Sequence, residues 1–210
     1  IKWGIPPEKI VYSPNGLEKS HYGSTHRNLP EAAGAHFKFG FIGSILPQKG
    51  LEVLIKAFNS IPEDKASVEI WGCTRTLPKY TAFLKTRIKN KNIKFMGRYE
   101  NKDIGKTLSR FHALIIPSIW YENAPLTINE AFIFGIPVIA SNIGGMAEHI
   151  RDGENGLLFE VNCAESLRNT IMRIINREVK YEDLQHAFPV VKDIRDNAAE
   201  LEEHYIQLIK

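Results

Sequence analysis

"YENAPLTINEAFIFGIPVIAS", residues 121–141, joins a helix to a strand and carries two carboxylates, Glu122 and Glu130, through an otherwise apolar stretch. Pro125 suits the first turn of a helix, where a missing N–H is not needed. Leu126 to Phe134 follows as that helix, and Gly135 suits the stop just past its end. Ile136 to Ala140 is a short apolar strand with Pro137 near its start, where a proline is tolerated. Leu126, Ile128, Ala131, Phe132, Ile133 and Phe134 make the helix apolar on nearly every side, the pattern of a buried helix. Glu130 sits in its second turn. Its helical neighbours are Leu126, Thr127, Ile133 and Phe134, so no basic partner is local. A buried carboxylate without a partner costs several kcal/mol or stays protonated. Glu130 is therefore expected to face water, a distant cation, or a ligand that offers hydroxyl donors. Glu122 precedes the helix, near the positive end of its dipole, where a carboxylate either complements the helix charge or meets a ligand.

Working outward, the same rhythm repeats. Phe37–Gly43 reads as a strand, and Leu51, Leu54, Ile55 and Phe58 fall on one helical face. Strands are expected at 68–71, 93–96, 113–116 and 157–160, with helices at 78–89 and 103–110 between them. Asn162, with Glu165 three residues on, predicts a capped helix whose buried stripe is Leu167, Ile171, Ile174 and Ile175. A final helix is expected over 193–210. Its stripe of Ala198, Leu201, Tyr205 and Leu208 packs either on this domain or on a partner domain. Strands alternating with helices predict an α/β fold: a Rossmann-like, doubly wound parallel sheet with helices on both faces. The expected organisation is an opening segment and loop over 1–35, the sheet domain over 36–192, and the C-terminal helix over 193–210.

Composition narrows the class. The chain has 210 residues, 43% of them hydrophobic, enough for a sizeable core, and a mild net charge of +3. No run of eighteen apolar residues marks a membrane span. The opening IKWGIPPEKI has no leading Met and no signal-peptide pattern, as expected of a piece of a longer protein. Two cysteines, Cys73 and Cys163, give neither a disulfide framework nor a metal spacing, so a reducing, cytoplasmic setting is expected. The basic stretch Lys85, Arg87, Lys89, Lys91, Lys94 and Arg98 suits a solvated helix face, or contact with anionic lipid or phosphate.

In such folds ligands bind beyond the carboxyl ends of the strands. The first strand runs into Ser44-Ile-Leu-Pro-Gln-Lys49-Gly50 and then a helix, and a lysine at a helix start attracts phosphate. It is not a P-loop, because GxxxxGK[ST] is absent. The strand ending near Ile116 runs into the Glu122 segment. The strand at 136–140 runs into Gly144-Gly145, where a backbone can approach a ligand closely. GxGxxG, HExxH, DxD and GxSxG are all missing, and the seven histidines lack ligand spacing.

Four stretches carry a resemblance. "PPEKIVYSPNGLE" (6–18), "FGFIGSILPQKGLEVLIKAF" (39–58), "NIKFMGRY" (92–99) and "ALIIPSIWYENAPLTINEAFIFGIPVIASNIGGMAEHIRDGENGLLF" (113–159) resemble the C-terminal, donor-binding domain of retaining group 1 glycosyltransferases. The last is the most specific, with seven residues between its two glutamates, then GG, E and NGLLF. The resemblance implies the C-terminal half of a two-domain B-type fold. It implies transfer of a sugar from a nucleotide-diphosphate sugar to an acceptor, with retention, in glycan or cell-surface polysaccharide synthesis. Glu130 would accept hydrogen bonds from the ribose hydroxyls, and Glu122 would sit near the transferred sugar as the catalytic carboxylate. Backbone N–H groups from Asn123 through Ala124 to Leu126 would meet the sugar or its phosphates, and Gly43, Ser44, Pro125, Gly144 and Gly145 would line the donor site. Lys49 would bind the diphosphate, and Arg98 and Tyr99 would flank the base. One departure is Ser44, where the family usually has Arg. No metal or other cofactor is expected, since Lys49 and helix N-termini can meet the charge on the leaving diphosphate. The acceptor would come from an N-terminal domain absent from this chain. Peripheral contact with the inner face of a membrane is expected, and no nucleic acid. The alternatives are a nucleotide-sugar-binding module without transfer, or an epimerase of the same fold.

Overall fold

The computed structural model describes residues 4–22, 36–123, 125–185 and 187–209. Six strands form one sheet: β1 (Phe37–Ile42), β2 (Ala66–Trp71), β3 (Ile93–Gly97), β4 (Ala113–Ile116), β5 (Val138–Ser141) and β6 (Gly156–Phe159). Their order is β3-β2-β1-β4-β5-β6, and every neighbouring pair is parallel. Seven helices connect or follow them: α1 (Leu51–Phe58), α2 (Pro78–Thr86), α3 (Ile104–Leu108), α4 (Leu126–Ile133), α5 (Gly144–His149), α6 (Ala164–Ile175) and α7 (Ile194–Ile209).

Alternation along the strands builds two cores, one on each face. Phe37, Phe39 and Phe41 of β1, Ala113 and Ile115 of β4, and Leu157 and Phe159 of β6 join α1, α2 and α6 on the first face. Ile42, Leu114, Ile116, Val138 and Ala140 join α3, α4 and α5 on the second. A strand apolar on both sides is what an internal parallel strand requires, because helices cover both faces. The doubly wound expectation is thereby met.

Several local expectations shift, each for a physical reason. Pro125 is the residue capping α4, one position ahead of its first turn. Asn162 does not cap α6. It adopts a left-handed backbone, and the sulfur of Cys163 accepts from Ser166 N at 3.4 Å instead. The helix expected to reach Lys89 ends at Thr86. Beyond it, Lys89 N and Asn90 N both donate to Asn59 Oδ1, at 2.9 and 3.2 Å, so that backbone is satisfied by a side chain. The basic stretch therefore spans a helix end, a turn and β3, and is no single helix face. The opening segment pairs with the start of α7: Leu17 N donates to Lys192 O, and Ile194 N to Leu17 O, both at 3.0 Å. Asn197, buried on α7, accepts from Gly16 N and donates to Ser13 Oγ. Leu201, Tyr205 and Leu208 of α7 stay exposed, so that stripe does not pack on this domain. Among the described residues no helix is long and apolar enough to cross a membrane.

Candidate functional site

The strand order reverses direction at β1 and β4, so the loops leaving their carboxyl ends part company and open a crevice. The β1 loop runs from Gly43 through a single 3-10 turn, Pro47–Lys49, to Gly50. The β4 loop runs from Pro117 to Pro125. Two contacts join them: Ile119 N donates to Gln48 O at 2.9 Å, and Ser118 Oγ lies 3.0 Å from the same oxygen. Gly50 has φ +70°, and a Cβ there would fall 1.8 Å from Pro117 O. Only glycine combines that backbone with that approach.

This stitching brings together two residues expected to act in the site. Lys49 Nζ lies 2.6 Å from Glu122 Oε1 as a part-buried ion pair. Ser118 Oγ is 2.9 Å from the same carboxylate oxygen. The hydroxyl has one proton for two acceptors, Glu122 and Gln48 O, and serves one at a time. From below, α5 supports the carboxylate segment. Gly145 N donates to Glu122 O at 2.8 Å, and a Cβ at Gly145 would fall 2.3 Å from Asn123 O. The close approach that the glycine pair permits is thus made by the chain's own 121–123 backbone. Asn123 is exposed at the rim, and Ala124 lies outside the described residues. Leu126 opens α4, where the first N–H groups have no acceptor within the helix. Ser44 is exposed, and its carbonyl accepts from Leu46 N.

Glu130 occupies a second part of the crevice. Its Oε1 accepts from the hydroxyl of Tyr22 at 3.2 Å, a partner 108 residues away that local reading missed. Burial holds its carboxyl above the usual range, and the Tyr22 hydrogen bond opposes that only in part. Burial likewise raises the Tyr99 phenol, and the charge of Glu130 adds to it. Tyr99 therefore lies within electrostatic reach of Glu130, while Arg98 beside it is exposed. No described cation pairs with Glu130.

The raised carboxyl has a linkage consequence. Between its unfolded and its folded value, the native chain holds a proton that the unfolded chain has lost, so stability falls as pH rises through that window. Glu130→Gln keeps an acceptor for Tyr22 and removes the charge. Its melting temperature is expected above the parent's at about pH 7.5, with the gain vanishing below about pH 4. An equal gain at both pH values would trace the effect to packing instead.

Residues 25–188 match the family model described as glycosyl transferases group 1. The chain belongs to that family. An uncharacterized glycosyltransferase of Methanocaldococcus jannaschii is 31% identical to this group 1 chain over 145 residues, which is 68% of this chain and 39% of that protein. The UDP-Gal:alpha-D-GlcNAc-diphosphoundecaprenol alpha-1,3-galactosyltransferase of Escherichia coli is 27% identical over 187 residues, 83% of this chain and 47% of that protein. This group 1 chain therefore spans less than half the length of either relative. HepE of Anabaena, solved with UDP-glucose, superposes with a TM-score of 0.78 at 20% identity, over 97% of this chain and 59% of that one. The match shows that the parallel-sheet architecture is that of known glycosyltransferase structures.

Proposed function

We propose that this chain is the donor-binding half of a retaining sugar transferase, holding a nucleotide-diphosphate sugar at the carboxyl ends of β1, β4 and β5. The observation that carries the reading is the crevice itself. It presents an ammonium, Lys49, and a carboxylate paired with it, Glu122, at the switch point, with a second carboxylate, Glu130, bonded to Tyr22 and paired with no described cation. Lys49 meets the diphosphate as it departs, together with N–H groups at the starts of α1 and α4, so no metal is needed for that charge. Glu130 accepts from the ribose, Arg98 and Tyr99 flank the base, and Glu122 stands beside the transferred sugar. The UDP-glucose complex of HepE supports a uridine donor. The lipid-linked acceptor named for the E. coli relative supports a role in surface polysaccharide synthesis and work at the inner face of a membrane. Acceptor and full catalysis belong with an N-terminal domain.

Lys49→Ala separates this reading from a surface lysine. A hydrogen bond to a charged group contributes about 1.5–3 kcal/mol, so UDP affinity is expected to drop by about 10- to 100-fold while uridine binding stays nearly constant. Ser44→Arg in the same titration series is expected to tighten UDP binding by restoring a second cation. Equal small losses for UDP and uridine in Lys49→Ala would remove Lys49 from the phosphate site.

A further inference from the structure

The second distinctive feature of the molecule lies outside the crevice. A cavity of about 450 Å³ opens between the opening segment, α4, α5 and the stretch that leads into α7. That size falls within the range of small-ligand sites, roughly 300–1,000 Å³. None of Lys49, Glu122 or Glu130 lines it.

Its wall is polar at one end. Asn129 on α4 is only 8% exposed and lines this cavity, and its side-chain amide makes no hydrogen bond to another described residue, so its polar atoms are left to what enters the cavity. Around it stand Tyr12, Asn15 and Glu148, whose polar side chains are likewise unpaired among the described residues. His149 adds a fourth group. Its Nδ1 lies 2.6 Å from Gly145 O, a carbonyl that can only accept, so Nδ1 is the donor there and Nε2 is the nitrogen left for another partner.

The chemistry of the wall selects the ligand. Among the described residues of the wall both cations are already engaged, Arg151 with Glu154 and Lys192 with Glu200, and the Glu148 carboxylate disfavours an anion. A purely apolar ligand would leave the Asn129 amide unsatisfied. A neutral polyol answers both objections, because each hydroxyl donates and accepts. Its ring faces can lie on Tyr12, which is 74% exposed, and on the flat surfaces of Pro14 and Pro189. We propose that this cavity is a saccharide-binding site, separate from the donor crevice, in which the Asn129 amide and the Glu148 carboxylate take sugar hydroxyls and Tyr12 takes a ring face. The site needs no nucleotide and stands apart from the reading of the crevice.

Saturation-transfer NMR tests it on this chain, with methyl α-D-glucoside, methyl α-D-galactoside and N-acetylglucosamine, each with and without excess UDP. At least one sugar is expected to receive saturation, and UDP is expected to leave the signal in place. Tyr12→Ala, an exposed change with little risk to folding, should weaken the signal several-fold. Asn129→Leu, which keeps the side chain's shape and removes its amide, should abolish it while leaving the melting temperature near the parent's. No saturation of any of the three sugars would overturn the proposal, as would a signal that UDP displaces or one that both variants leave intact. Failure to bind UDP, with the sugar signal present, would instead count against the donor crevice.

Discussion

Glu130→Ala is expected to strip this chain of most of its nucleotide affinity while leaving its fold intact or firmer. Two ribose hydroxyls donating to a carboxylate are worth about 1.5–3 kcal/mol each. The net loss sits toward the low end of their sum, because Tyr22 already donates to one oxygen and the nucleotide must exchange with it or share it. About a 100-fold loss of UDP affinity remains the expectation. The fold loses little, because burial already holds the charged form of Glu130 at a disadvantage. Calorimetry with UDP and a thermal melt on the same preparation give both readings. Unchanged affinity would end the ribose assignment. A marked fall in melting temperature would make the Tyr22–Glu130 bond a structural tie instead.

Gly50→Ala is expected to have the largest effect on stability. The residue sits at φ +70°, which costs a side-chain-bearing residue about 1–2 kcal/mol. The new Cβ would also meet Pro117 O at 1.8 Å, and backbone cannot step aside cheaply. Parting the two loops breaks the Gln48 contacts, at about 0.5–1.5 kcal/mol each, and pulls Lys49 from Glu122. The expected total is about 4 kcal/mol, a large share of the roughly 5–15 kcal/mol that holds a domain together. Urea unfolding measures it. Gly50→Asn distinguishes the causes, because asparagine tolerates the backbone angle but keeps the collision. If Gly50→Asn behaves like the parent, the angle alone matters; if both variants fall together, the contact with Pro117 governs.

The architecture was legible wherever apolar spacing is local. Ala113–Ile116 appears with the bounds expected of it, because four apolar residues between polar turns have one reading. The helix at 126 and its following strand hold to within a residue or two. Boundaries failed where a distant side chain takes over the backbone, as Asn59 does at Lys89 and Asn90. The site divides the same way. Lys49 and Glu122 stood out singly, by helix-start chemistry and by a carboxylate in an apolar stretch. Their pairing did not, since 73 residues separate them. Tyr22, buried in a polar loop sequence, gave no periodic signal at all. Gly144 and Gly145 were legible as a place of close approach, but what approaches is the chain's own Glu122 and Asn123 backbone.

The position of β1 in the middle of the sheet has a consequence in time. It pairs on one side with β2, next in sequence, and on the other with β4, where Phe39 sits opposite Ala113. The first pairing closes over one helix, whereas the second must wait for three helices and two strands to be laid down. Parallel pairing across such a span is slow, because the entropy of closing the chain is spent before any contact repays it. The crevice walls leave β1 and β4, so they meet only when that late pairing is made. During refolding, UDP binding is accordingly expected to lag behind the recovery of helical signal and to mark the moment the sheet is whole.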